Sequence, residues 1–205
     1  MNAGRSAVVF AACVFVLGTK PAAAYELRTS ASAAVVRPDR KGYTSFWNWG
    51  PGAGLGIDFI PDGSSLGLAL WGEYAKVAGR TRDALGDTLV VSPWQQVRVF
   101  YGLRQHLYLS RSRQWAITGD LAMGRGVLDF GDVRLQSNRT SAQFLSGERL
   151  WGDILTFGAG LEYVGERFGL LVDMRSEIFP GLSTYTWNTK RIGLIWRARR
   201  SREED

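Results

Sequence analysis

Cysteine, histidine and proline are scarce: 205 residues contain one Cys, one His and 6 Pro. The single cysteine, Cys13, lies in an apolar stretch near the amino terminus. Arg5 precedes the run Ala7 to Leu17, and Ala22, Ala23 and Ala24 follow the breaker Pro21, so residues 1–24 read as a secretory leader cleaved before Tyr25. Phe10 stands where a lipobox carries leucine, and apolar residues continue to Leu17, which argues against lipidation at Cys13. Cleavage removes the only thiol. The remaining chain then has no disulfide, no thiol nucleophile and no Cys-based metal site, although it is exported. Long hydrophobic runs are also missing. Beyond the leader no apolar stretch reaches the ~18 residues of a membrane helix, so any crossing of a bilayer is made by strands.

What is abundant is glycine, 25 residues, with 8 Trp. Glycine costs a helix roughly 1 kcal/mol per interior position, so a mainly helical domain is disfavoured. The 45% hydrophobic content excludes a disordered chain, and collagen or low-complexity classes are excluded as well. Arg5 and Lys20 leave with the leader, so 25 basic residues become 23 against 19 acidic, and the formal charge falls from +6 to +4. For an exported chain with so mild an excess, nucleic acid is not the expected partner.

Period-2 alternation marks eight segments, at 25–36, 50–60, 65–78, 93–109, 114–129, 150–164, 167–179 and 186–198. In the seventh, Phe168, Leu170, Val172, Met174 and Ile178 share one face, while Arg167, Gly169, Asp173, Arg175 and Glu177 share the other, with Leu171 the exception. Links after the second, fourth and sixth segments are short, and the others are longer and polar or aromatic. That layout predicts an all-β fold, an eight-stranded antiparallel up-and-down transmembrane β-barrel over 25–198, with a charged tail at 199–205 and both termini in the periplasm. Glycine and opposite charges crowd one face, and the other is apolar. Trp47, Trp49, Trp94, Trp115, Trp151, Tyr163, Phe168, Tyr185, Trp187 and Trp196 fall near segment ends, where amphipathic rings suit the headgroup boundary.

In architecture the chain resembles the small eight-stranded outer-membrane barrels of Gram-negative bacteria, such as the membrane domain of outer-membrane protein A and its X and W relatives. One stretch approaches a motif of that group, Arg191-Ile192-Gly193-Leu194-Ile195-Trp196-Arg197-Ala198. Arg191, Gly193 and Trp196 match the spacing of a last-strand assembly signal, which implies recognition by the barrel-assembly machinery through strand pairing. Ala198 replaces the usual second bulky residue, and Arg199 to Asp205 continue where many relatives stop.

Parity places Glu26, Arg28, Asp58, Glu73, Arg98, Arg104, His106, Asp120, Glu162, Asp173, Arg175, Glu177, Arg191 and Arg197 in the lumen. The near-balance of charge predicts a salt-bridged interior, read either as structural filling or as a proton or ion path. The resemblance also raises lipid A deacylase activity, which implies a His-x-Ser pair. Here Tyr108 stands two residues after His106, so that activity is not carried over, and no catalytic residue is assigned. No cofactor pattern and no metal-ligand spacing is present; Asp129 and Asp132 around Gly131 read as a weak calcium loop or as solvated carboxylates. Gly124-Arg125-Gly126 and the Gly50–Gly54 stretch lack the helix that a phosphate loop needs.

Arg37, Arg40, Lys41, Arg80, Arg82, Arg134, Arg139, Arg149 and Lys190 gather at the longer links, a candidate rim for lipopolysaccharide phosphates. Asp39, Asp83, Asp87, Asp132, Glu148 and Asp153 interrupt it, so a solvated rim is the competing reading. At the opposite end, Arg111, Arg113, Arg197, Arg199, Arg200 and Arg202 face anionic lipid or an acidic partner. The functional expectation is a non-enzymatic barrel that binds envelope components, lipopolysaccharide or a protein assembly. The alternatives are a lipid-modifying enzyme, a narrow channel and a soluble lipocalin-like carrier.

Overall fold

The computed structural model describes residues 24–38, 47–84, 87–136, 141–145, 147, 149–180 and 186–200. Residues 1–23 of the proposed leader, the residues after Arg200, and Asp39, Arg40, Lys41, Arg139, Glu148 and Tyr185 lie outside them. Eight long strands form one closed barrel: β1 (Tyr25–Pro38), β2 (Gly50–Pro61), β3 (Leu66–Val77), β6 (Trp94–Tyr108), β7 (Trp115–Asp129), β10 (Arg149–Val164), β11 (Phe168–Ile178) and β12 (Thr186–Arg200). Their order around the wall is β1-β12-β11-β10-β7-β6-β3-β2, all antiparallel, and β1 closes on β12 from Tyr25↔Arg200 to Pro38↔Trp187. β12 runs through Arg200, so Arg199 and Arg200 belong to the ladder and not to a tail.

The register fixes the size of the barrel. From Ala33, paired residues lead through Ile192, Val172, Leu161 and Ile117 to Leu107; the other way round, Ala53 and Tyr74 lead to Val97. The two arrivals on β6 are ten residues apart, which for eight strands gives a tilt of about 40° and a backbone radius of about 8 Å. An interior that narrow is filled by side chains. Alternation decides what fills it: Arg98, Arg175 and Glu177 are fully enclosed, while Leu55, Leu121, Phe157, Leu170, Ile192 and Leu194 point outward and stay exposed. This is the reverse of a water-soluble barrel and suits hydrocarbon, where closure also satisfies every ladder group. Tight turns join β2 to β3, β6 to β7 and β10 to β11 at the end where both β1 begins and β12 ends, and Gly63 supplies the left-handed φ of 76° in the first of them.

Two features depart from the alternation pattern. The longer links contain four further strands, β4 (Thr81–Ala84), β5 (Asp87–Val91), β8 (Val133–Gln136) and β9 (Ser141–Leu145), paired in the order β4-β5-β8-β9. β5 leads into β6 and β8 follows β7, so the β5–β8 ladder continues upward from two neighbouring wall strands. The second departure concerns tryptophan. Trp49, Trp115, Trp151, Phe168 and Trp196 are exposed at the two rims, but Trp94 and Trp187 are buried inside the barrel, and Trp47, ahead of β2, is buried against Trp94 and Phe130. Trp94 shares the face of Gln96 and Arg98, and Trp187 that of Thr189 and Arg191. Parity, not nearness to a strand end, sets the direction of Trp94 and Trp187.

Candidate functional site

The lumen has two tiers. From the short-turn end upward, Glu26 accepts from Arg197 at 2.6 Å, Arg28 donates to Glu162 at 2.8 Å, and Arg104 donates to Asp58 at 2.6 Å. At mid-height Arg175 pairs with Asp120 at 2.7 Å, and its guanidinium lies 3.9 Å over the Trp71 ring. Arg191 grips Asp173 through two nitrogens. Glu73 receives three cations: Arg98 at 2.8 Å, Arg191 at 2.9 Å and Arg175 at 3.3 Å. Higher still, Arg98 also donates to Glu177, which accepts from the Thr189 hydroxyl at 2.9 Å. All fourteen expected lumen residues therefore point inward and meet at least one oppositely charged or histidine partner from this set. Buried charges persist only in such mutual pairing.

Above Glu177 the interior turns apolar, where a polar lumen was expected. Trp94 lies 4.3 Å from Trp187 and stacks on Phe130 at 5.3 Å, and Trp47 meets Phe130 at 5.9 Å. Val36, Val77, Leu128, Ile154 and Phe179 complete this layer. Two glycines give the contents room: a Cβ on Gly158 would lie 2.5 Å from Asp120 Oδ1 and 2.6 Å from Arg175 Cγ, and one on Gly124 would lie 2.5 Å from the Phe100 ring.

His106 is fully buried against Tyr108, with Nε2 3.4 Å from Glu162. It faces the lumen and not the lipid surface. Asp58, His106 and Glu162 bring ligand-type atoms within 4.8 Å of one another, a grouping hidden in the sequence because its members lie on β2, β6 and β10. Arg104 and Arg28 already hold its two carboxylates, so the cluster is an ion-pair knot.

At the long-loop end, Arg134 pairs with Asp132 and Arg149 with Asp129, both at 2.8 Å and exposed, and Arg80 donates to Asn48 at 3.1 Å. Arg37, Arg82 and Lys190 are exposed without a carboxylate partner among the described residues. Of the assembly-signal residues, Arg191 and Gly193 face inward, and Trp196 stands 56% exposed on the wall at the short-turn rim.

No protein-family model and no curated protein matches the chain. Among solved structures, the outer membrane protein OprG from Pseudomonas aeruginosa aligns over 86% of this chain and 96% of its own, at 13% identity and a TM-score of 0.56. The fold is that of the small outer-membrane barrels. Ail, the attachment invasion locus protein of Yersinia pestis, covers 87% of this chain and 100% of its own at 13% identity, with a TM-score of 0.47. Neisserial surface protein A covers 84% and 96% at 11% identity, with a TM-score of 0.49. These neighbours are bacterial outer-membrane proteins. Within such a membrane barrel, the sequence left two things unread: the aromatic layer, whose signal was the inward parity of Trp94 and Trp187, and the loop strands, which are too short to show a period.

Proposed function

We propose that this chain is a non-enzymatic outer-membrane barrel, closed to conduction, whose basic long-loop rim engages lipopolysaccharide, with the short turns in the periplasm. The packed interior carries this reading. Among the described residues, a lumen held by ion pairs from Glu26 to Glu177 and covered by Trp94, Trp187 and Phe130 is filled by side chains, and the hollow of about 340 Å³ at the short-turn mouth ends at Glu26, Tyr108 and Arg197. What remains for function is the outer surface. There Arg82 and the partly compensated Arg134 and Arg149 present guanidinium donors suited to bidentate phosphate contact. His106 argues against a lipid-modifying enzyme, since it is enclosed among lumen charges and no serine stands two residues on. The test is the lipopolysaccharide that co-purifies with the parent and with a triple variant, Arg82→Gln, Arg134→Gln and Arg149→Gln. A drop of severalfold in the variant is expected; equal content in both proteins overturns the rim reading.

A further inference from the structure

The outer wall is not uniform. On β6 the outward residues Leu107, Leu103, Tyr101, Val99 and Val97 span ten positions, interrupted only by Gln105, which at this tilt is about 25 Å of height, the full apolar band. On β12 the outward series Trp196, Leu194 and Ile192 is followed by Lys190, only six residues above the aromatic rim. That places the Lys190 backbone about 15 Å above the rim, inside the band, from which its stem snorkels upward. Asn188 and Ser176 come next on the same wall, hydrogen-bonded to each other at 2.8 Å, and Arg37 stands beside them on β1. Other charges on the wall are placed differently. Arg125 lies 3.7 Å from Asp153, Arg149 is paired with Asp129, and Lys76 sits higher on its strand. Among the described residues Lys190 has no carboxylate partner, and it stands at lipid depth, where an uncompensated ammonium is costly.

The same wall is hollowed. Two adjoining hollows of about 470 Å³ and 760 Å³ share Val35, Met174 and Lys190. The deeper one runs over Ala33, Ala159, Val172 and Ile192, where the small residues of β1 and β10 lower the surface between bulky neighbours. The upper one ends at Arg37 and Trp49. The furrow is apolar below and rises to Lys190 and Arg37, two cations without a carboxylate partner among the described residues, a sequence of chemistry that suits an acylated phosphate.

We infer that the β1–β12–β11 wall holds one molecule of lipid A through its phosphate on Lys190 and Arg37, with an acyl chain lying over Ala33 and Ala159. This rests on the lipopolysaccharide reading and locates a seat that the rim residues do not form. The test is native mass spectrometry of detergent-purified barrel titrated with hexa-acylated lipid A, with phosphatidylcholine as the neutral probe. The parent is expected to retain one lipid A adduct and no phosphatidylcholine adduct. The pair Lys190→Gln and Arg37→Gln should lose the adduct at least tenfold, and Ala33→Phe, which fills the furrow while keeping both cations, should lose it too. Heat-modifiable migration establishes that each variant is folded. Retention by the Lys190 and Arg37 pair together with loss in the Arg82, Arg134 and Arg149 variant overturns the seat and leaves the rim reading standing. Retention by both variants overturns both. An equal phosphatidylcholine adduct, or a dimer peak abolished by Ala33→Phe, overturns the seat in favour of unselective lipid or a second copy of the chain.

Discussion

Neutralising Glu73 is the sharpest test of how the lumen is held. The carboxylate meets Arg98 through one oxygen and Arg175 and Arg191 through the other, and all four side chains are almost fully enclosed. In Glu73→Gln the shape persists, but three guanidinium groups lose a shared anion. Breaking a buried ion pair by removing one partner costs about 3–5 kcal/mol. Arg98 keeps Glu177, Arg191 keeps Asp173, and Arg175 keeps Asp120 and Asp173, so the loss belongs at the lower end, about 3 kcal/mol. With urea m-values of about 1–3 kcal/mol per molar, that moves the unfolding midpoint down by at least about 1 M. The assay is the heat-modifiable folded band of protein reconstituted in phosphatidylcholine vesicles, read across a urea series. Lys76→Gln, on the same strand but facing outward, is the control and should leave the midpoint in place. A Glu73→Gln midpoint within 0.3 M of the parent would refute the reasoning, because it would mean that the carboxylate is not needed to balance the cations around it.

Gly158→Leu should abolish the folded band, since even its Cβ would lie 2.5 Å from Asp120 Oδ1; a variant that folds with parental migration would count against the packing described. Trp196→Ala should slow insertion into membranes severalfold while sparing the stability of barrels already folded, measured by pulse-chase of the heat-modifiable form, and equal rates would remove Trp196 from any assembly role. The parent should give no current steps in a planar bilayer, and the pair Trp94→Ala and Trp187→Ala should stay silent too, because the ion pairs beneath still fill the barrel. Steady conductance in the parent would contradict a filled lumen.

How far the sequence reaches can be judged strand by strand. Along β6 and β11 a two-residue period, broken at Gln105 and Leu171, separates the face of Arg98, Arg104, Asp173 and Arg175 from the face of Val97, Leu103, Val172 and Met174, so the wall and its direction are legible. Partnership was not. That Glu73 would gather three arginines from β6, β11 and β12 depends on a shear of ten residues, which no single segment encodes. Position along the chain alone points to Trp47, Trp94 and Trp187 as lipid anchors, whereas parity sets Trp94 and Trp187 inward. β4, β5, β8 and β9 have four or five residues each and exist because two loops meet over β6 and β7, a long-range condition invisible to a local period.

The uneven height of the apolar wall has a consequence for how the barrel sits. The β6 side offers hydrocarbon a surface of about 25 Å, whereas the β12 side offers about 15 Å before Lys190 interrupts it. A bilayer meeting both sides at once must thin locally beside β12, or the barrel axis must lean so that the shorter wall spans less of the normal. Either response makes the molecule directional within the membrane plane, with thinned lipid gathered along one flank and the β5–β8 ladder standing above the other.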